Sequence, residues 1–182
     1  MKEYKPLLFF LLKFFGCWIL LSLTYDFYLK NTQVIDAVYY QSDPYTKLVA
    51  SQASAIYNFF IGDSHVVQAG NQPYMIFYIN QKVASVVNEG CNAFSVIILM
   101  ISFLVAFGKD FFKTLIYIAL SFIAIHTLNT IRVGLLSHIY LYHREYKQVA
   151  HDILFPAIIY GGVIVICWIW VQFFVFKKKK NG

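Results

Sequence analysis

Cys91, Arg132 and His151 are the residues of this chain whose types suit acyl-transfer chemistry. A thiolate can attack a carbonyl carbon, and a fixed guanidinium can meet the charge that then develops on oxygen. An imidazole that is neutral near pH 7 can take the thiol proton and later return it to a leaving amine. Cys91 stands in Asn88-Glu89-Gly90-Cys91-Asn92, a polar and flexible setting at the entrance of an apolar segment. Cys17 and Cys167 lie within apolar runs, where a cysteine usually acts as a small buried hydrophobe. A structural thiol is the alternative at Cys91. The three cysteines form no C-x-x-C pair, and the chain has no H-E-x-x-H or other close ligand cluster. Disulfide exchange and metalloprotease chemistry are therefore disfavoured, and neither a metal nor a cofactor is expected.

Arg132 closes the segment Asn129-Thr130-Ile131-Arg132-Val133. It follows Lys113 by about 28 Å of helix, the thickness of a bilayer core. Asn129 lies one turn deeper on the same helical face. His126 shares that face roughly 9 Å below Arg132 and is a rival base, or else an interhelical hydrogen-bond contact. His151 opens Ala150-His151-Asp152-Ile153-Leu154-Phe155-Pro156. The helix from His151 to Lys177 would measure about 39 Å, so tilt, a kink at Pro156 or a protruding first turn must absorb the excess. His138 and His143 carry no partnering pattern.

The elements that must position these residues are membrane spans. The chain is 59% hydrophobic, 19% aromatic and only 13% charged, with a mean hydropathy of +0.60. That is well beyond the roughly 45–50% apolar usage of soluble domains. Four stretches approach spanning length: Leu7–Tyr28, Cys91–Phe107, Thr114–Ile131 and Ile153–Phe176. The expected fold is an all-α polytopic membrane protein, a single membrane-embedded domain over residues 1–182 with about four transmembrane helices. The net charge of +6 gathers at span ends, which makes it topology information and not a nucleic-acid footprint. Lys2 and Lys5, Lys109 and Lys113, and Lys177–Lys180 mark cytoplasmic ends by the positive-inside rule. Residues 29–90 carry Lys30, Lys47 and Lys82 against Asp36, Asp43, Asp63 and Glu89, lack the excess of basic charge that would hold them inside, and face outward. The Arg132–Asp152 connection follows them by alternation, so both termini are inside and Cys91, Arg132 and His151 share the outer face. The first span reads as an uncleaved anchor, because no small-residue cleavage site follows it.

The outer loop 29–90 is too long for a simple connector. Leu48, Val49, Ala53, Ile56, Tyr57 and Phe60 recur at helical spacing within Tyr45–Ile61, which predicts an amphipathic helix on the membrane surface or packed on the spans. The β-rich runs Tyr74–Ile79 and Lys82–Val87, joined by Asn80-Gln81, predict a small β-hairpin that delivers the chain to Cys91.

These residues resemble a known family. Glu89-x-Cys91 at a span entrance, Asn129-x-x-Arg132-Val133 at the end of the next span, and His151 opening the span after it are similar to the exosortase and archaeosortase family of membrane transpeptidases. The resemblance covers about residues 70–162 and is nearest to the F-type exosortases of the Bacteroidetes lineage. The common family version continues after its cysteine with Ser-Gly, where this chain has Asn92-Ala93. The resemblance implies a membrane-embedded cysteine protease or transpeptidase of the bacterial inner membrane, with its site on the periplasmic side. Cys91 would attack a carbonyl in the C-terminal sorting signal of an exported protein and form a thioester. Arg132 would stabilise the oxyanion and His151 would act as base and then acid, with Glu89, Asn129 and His126 in support. Partners would be the sorting-signal helix of the secreted substrate and membrane lipid, and the acyl group would pass to an acceptor amine or to water.

A non-catalytic membrane scaffold or assembly factor is the competing reading, with Cys91 structural and Asn129 and Arg132 binding a partner or a lipid headgroup. A small transporter would require ionisable groups near mid-span, and only His126 approaches that.

Overall fold

The structure is a computed structural model and describes residues 4–35 and 39–175. Lys2, Asp36, Phe176 and the terminal lysines Lys177–Lys180 lie outside the described residues. The chain is mostly helical. Three helices are long and apolar enough to cross a membrane: α1 (Lys5–Thr32), α4 (Phe111–Tyr142) and the last helix (Arg144–Phe174). Between them lie α2 (Pro44–Phe60), α3 (Phe94–Phe107) and five short strands. No residue of α1 is buried. A long, mostly apolar helix with no fully buried residue has the composition of a membrane span.

The described residues gather into two compact units. The first contains the chain up to Asp26, Phe94–Ile125 and the chain from Tyr160. Its core is Ile97, Met100 and Leu104 of α3, Ile125 of α4, and Val163 and Trp170 of the last helix. Phe10 of α1 meets Phe107 of α3 with ring centroids 4.4 Å apart. The turn from α3 to α4 requires Gly108, because a Cβ there would stand 2.7 Å from Thr114 Oγ1. Asp110 then starts α4, accepting from the Lys113 amide at 3.2 Å and pairing with the Lys113 ammonium at 3.1 Å.

The second unit, Phe27–Ala93 and His126–Ile159, contains all the polar motifs. Here β3 (Ser64–Gln68), β4 (Met75–Ile79) and β5 (Lys82–Val87) form an antiparallel sheet in the order β3-β4-β5. The preceding pair, β1 (Val34–Ile35) and β2 (Tyr40–Gln41), makes a separate two-stranded ribbon. The expected hairpin is β4–β5. Its turn residues Asn80 and Gln81 both have positive φ, 47° and 62°, as the twist-matched two-residue hairpin turn demands. Strand β3 was not expected from the sequence and adds to the other edge of β4. Along β4, Met75, Phe77 and Ile79 point into the core, the alternation a half-buried strand must show.

Helix α2 packs on this sheet. Asp43 caps it by accepting from the Thr46 amide at 2.9 Å, with Pro44 in the first turn, a preferred start. Its buried face is Thr46, Val49, Ala50, Ala53, Ser54 and Tyr57, whereas Leu48 and Phe60 are exposed. The apolar stripe seen in the sequence is thus split between core and surface. Tyr45 bonds His126 and Tyr57 bonds His138, each pair 81 residues apart, so α2 runs alongside α4 in the same direction. Gly134 faces α2, where a Cβ would meet the Ala53 carbonyl oxygen at 3.4 Å, an ordinary contact distance.

The largest departures from the expected spans are at two boundaries. α4 does not end at Ile131 but continues to Tyr142, so Arg132 lies within a helix and not at its end. The last helix begins at Arg144 and not at Ile153. Its turn Ala150–Leu154 is wound as π-helix, with the Phe155 amide bonded to the Ala150 carbonyl. Pro156 accounts for this: it has no N–H to give the Asp152 carbonyl, and its ring would crowd that oxygen in a regular helix. His151 sits in this widened turn, a feature frequent at functional sites.

Candidate active site

Strand β5 ends at Val87, and Asn88 caps a single 3₁₀ turn, Glu89–Cys91, by accepting from the Gly90 amide at 3.1 Å. The Cys91 amide bonds the Asn88 carbonyl at 2.9 Å. Asn92 is fully buried and donates to Thr46 Oγ1 at 3.0 Å. Ala93 then takes φ 59°, the left-handed region that costs a residue with a Cβ roughly 1–2 kcal/mol. Cys91 is consequently held at the mouth of α3 by a short, fully determined turn. Its thiol is free and half-buried.

Asn129 ties this turn to α4. It is fully buried, its Nδ2 donates to the Cys91 carbonyl at 2.9 Å, and its Oδ1 accepts from Arg132 Nη1 at 3.2 Å. One side chain thus fixes the nucleophile's backbone and the guanidinium together, which is what the i, i+3 spacing on a helix allows. Arg132 Nε is buried and has no hydrogen-bond partner among the described residues. A buried donor left unmade costs about 1–3 kcal/mol, and such a donor is available to a ligand oxygen.

His151 Nδ1 lies 2.7 Å from Asp152 Oδ1. A proton on Nδ1 satisfies this contact and leaves Nε2 as the acceptor, the arrangement a general base needs. Both side chains are about half exposed, 49% and 54%, so the pair orients the ring more than it stabilises the fold.

Cys91, Arg132 and His151 line one cleft of about 210 Å³, with Tyr140, Leu136, Ser137 and the Ser85–Asn88 stretch completing its wall. Ser85 and Ser137 bond each other across it at 2.7 Å. Cys91, Arg132 and His151 line this one cleft, and Asn129, also selected from the sequence, bonds the Cys91 carbonyl and Arg132. Glu89 does not line the cleft; its carboxylate accepts from Gln33 Nε2 at 3.4 Å near the surface. His126 does not line it either. Its two ring nitrogens face Tyr45 Oη at 2.9 Å and Gln52 Oε1 at 2.7 Å, so its role here is to join α4 to α2. Cys17 and Cys167 are free and half-buried, and Cys167 belongs to the apolar core of the first unit. Among the described residues no cluster of three His, Cys, Asp or Glu side chains could hold a metal ion.

Tyr140 and Asp152 escaped the sequence reading. Tyr140 continues the Arg132, Leu136, Tyr140 ladder at four-residue spacing, a signal readable only once α4 is known to pass Ile131. Comparison with protein-family models, with characterised proteins and with solved structures finds no match for this chain.

Proposed function

We propose that this protein is a membrane-embedded cysteine transpeptidase or protease of the exosortase type, acting on the C-terminal sorting signals of exported proteins. The observation that carries the proposal is the meeting of Cys91, Arg132 and His151 in one cleft, from three elements far apart in sequence. The Cys91 thiolate attacks the scissile carbonyl and forms the C–S bond. Arg132 presents its unpartnered Nε–H to the oxyanion. His151 Nε2 takes the thiol proton and delivers it to the departing amine as the C–N bond breaks. The product is a thioester on Cys91, which an acceptor amine or water resolves.

The cleft is smaller than the roughly 300–1,000 Å³ of sites that enclose a small molecule, which suits a site taking a short length of extended chain. In this reading α3 is a fourth, short span, its 14 residues rising about 21 Å. The Lys109–Lys113 turn and both termini are cytoplasmic, and the cleft is on the outer side of a bacterial inner membrane. A substrate carrying a recognition motif, an apolar helix and a basic tail would present the outer end of its helix here.

The test is the state of exported proteins with such C-terminal regions in cells carrying Cys91→Ala. They should accumulate uncleaved, while the variant reaches the membrane at the normal level. Normal processing in the Cys91→Ala strain would remove the enzyme reading and leave the scaffold one.

A further inference from the structure

Tyr140 is distinctive among the buried and half-buried tyrosines of α2 and α4. Tyr45, Tyr57 and Tyr117 each engage their hydroxyl, with His126, His138 and the Ile166 carbonyl. Tyr140 makes no hydrogen bond among the described residues, although it lines the cleft with Cys91, Arg132 and His151. Its ring is fixed in place. Lys147 Nζ stands 4.6 Å from the ring centroid, the His151 ring lies at 6.4 Å, and the Leu136–Ala150–Phe155 cluster packs against it. Tyr140 stands two turns beyond Arg132 on the same face of α4, and both side chains line the cleft.

We propose that the Tyr140 hydroxyl is a second oxyanion donor, hydrogen-bonding the carbonyl oxygen as Cys91 attacks it. This inference rests on the acyl-transfer reading. A preorganised donor of this kind has no competing partner to give up, and its bond strengthens only as charge develops on the substrate oxygen. Arg132 approaches that oxygen with charge, and Tyr140 with a directed neutral donor.

Because the natural substrate is unidentified, the probes are p-nitrophenyl acetate and iodoacetamide, applied to the full-length protein with Cys17 and Cys167 replaced by alanine. In the first reaction Cys91 sulfur bonds the acetyl carbon, p-nitrophenolate leaves and the thiol proton passes to His151, through an oxyanion. In the second the same thiolate displaces iodide, with no oxyanion formed. Tyr140→Phe should slow acetylation by about a hundredfold, the loss expected for one such donor, while alkylation stays within about twofold of the parent. Equal losses in both reactions would place Tyr140 on the thiolate or the fold and overturn the proposal, and so would no loss in either. If Tyr140→Phe fails to accumulate, Tyr140→Gln and Tyr140→Leu replace it. Gln keeps a donor and must acetylate faster at equal alkylation; equal acetylation rates would overturn the proposal. Cys91→Ala separates the two claims, because an unchanged acetylation burst in that variant would sink the acyl-transfer reading itself.

Discussion

Asn129 is where the chemistry of single residues and the fold meet. Its buried amide spends both ends, one on the Cys91 carbonyl and one on Arg132, so Asn129→Ala strips a partner from each. Leaving buried polar groups unpaired costs about 1–3 kcal/mol, and the larger effect should be on turnover, because nucleophile and cation lose their common anchor. Asn129→Ala should lower both the thermal midpoint and the processing rate. A normal rate at reduced stability would make the bridge structural only. At Arg132, lysine keeps the charge but loses the planar fork that reaches Asn129 and presents Nε. Arg132→Lys should therefore fall nearly as far as Arg132→Ala in a processing assay, and near-normal turnover would show that charge alone suffices. Cys91→Ser should be as inactive as Cys91→Ala, because a hydroxyl is far less acidic than a thiol. Arg132 and Asn129 could be found in the sequence as polar residues in apolar surroundings, where they are costly and need a reason, and Cys91 as the one cysteine in a polar setting. Tyr140 gave no such signal. One tyrosine among 14 looks like any aromatic of a membrane interface, and Asp152 looked like part of a loop.

At the scale of elements, the bilayer rule located the helices and misplaced two of their ends by about three turns. Counting about 20 residues to cross a membrane says where lipid stops, not where a helix must. From Ile131 to Tyr142 the chain has no proline and no helix-ending pattern, and Gly134 lies within the helix facing α2 and does not cap it. α4 therefore continues and brings Tyr140 to the site. The β4–β5 hairpin was legible from its alternation and its turn; β3 was not, because His65 and Gln68 interrupt a short run. Pro156 was visible as a source of irregularity, but a π turn around His151 follows only from knowing that the helix starts upstream of it. This yields a test with opposed readouts. Pro156→Ala restores the missing N–H and should raise helix stability, within the roughly 3 kcal/mol that separates the two residues in helix interiors. By rewinding the turn it should also rotate His151 off the cleft and cut activity. A variant both more stable and fully active would show that the π turn has no catalytic role. Ala93 gives the complementary case: at φ 59° glycine is the residue the backbone asks for. Ala93→Gly should stabilise by about 1 kcal/mol, measured as a raised melting temperature in detergent, with activity retained.

For the whole molecule, composition already required a membrane, and three long apolar helices agree with it. The lysine distribution fixes a proposed orientation that cysteine labelling can check. In a background lacking the native cysteines, Lys82→Cys and Tyr146→Cys, both at exposed positions, should react with a membrane-impermeant maleimide on intact spheroplasts. Lys109→Cys should react only after permeabilisation, and the reverse pattern would invert the topology. That the cleft draws on a strand end, the middle of α4 and a widened turn of the last helix could not be read from periodicity, which reports faces of elements and not their meeting points. The account stands most directly on the fate of the Cys91 sulfur. Mass spectrometry of the protein isolated from cells exporting its substrates, with the second step slowed by withholding the acceptor or by low temperature, should find a polypeptide acyl group on Cys91. Hydroxylamine should release it, and it should be missing from Cys91→Ser preparations. Continued substrate cleavage with no adduct on Cys91 under any of these conditions would contradict the thioester mechanism.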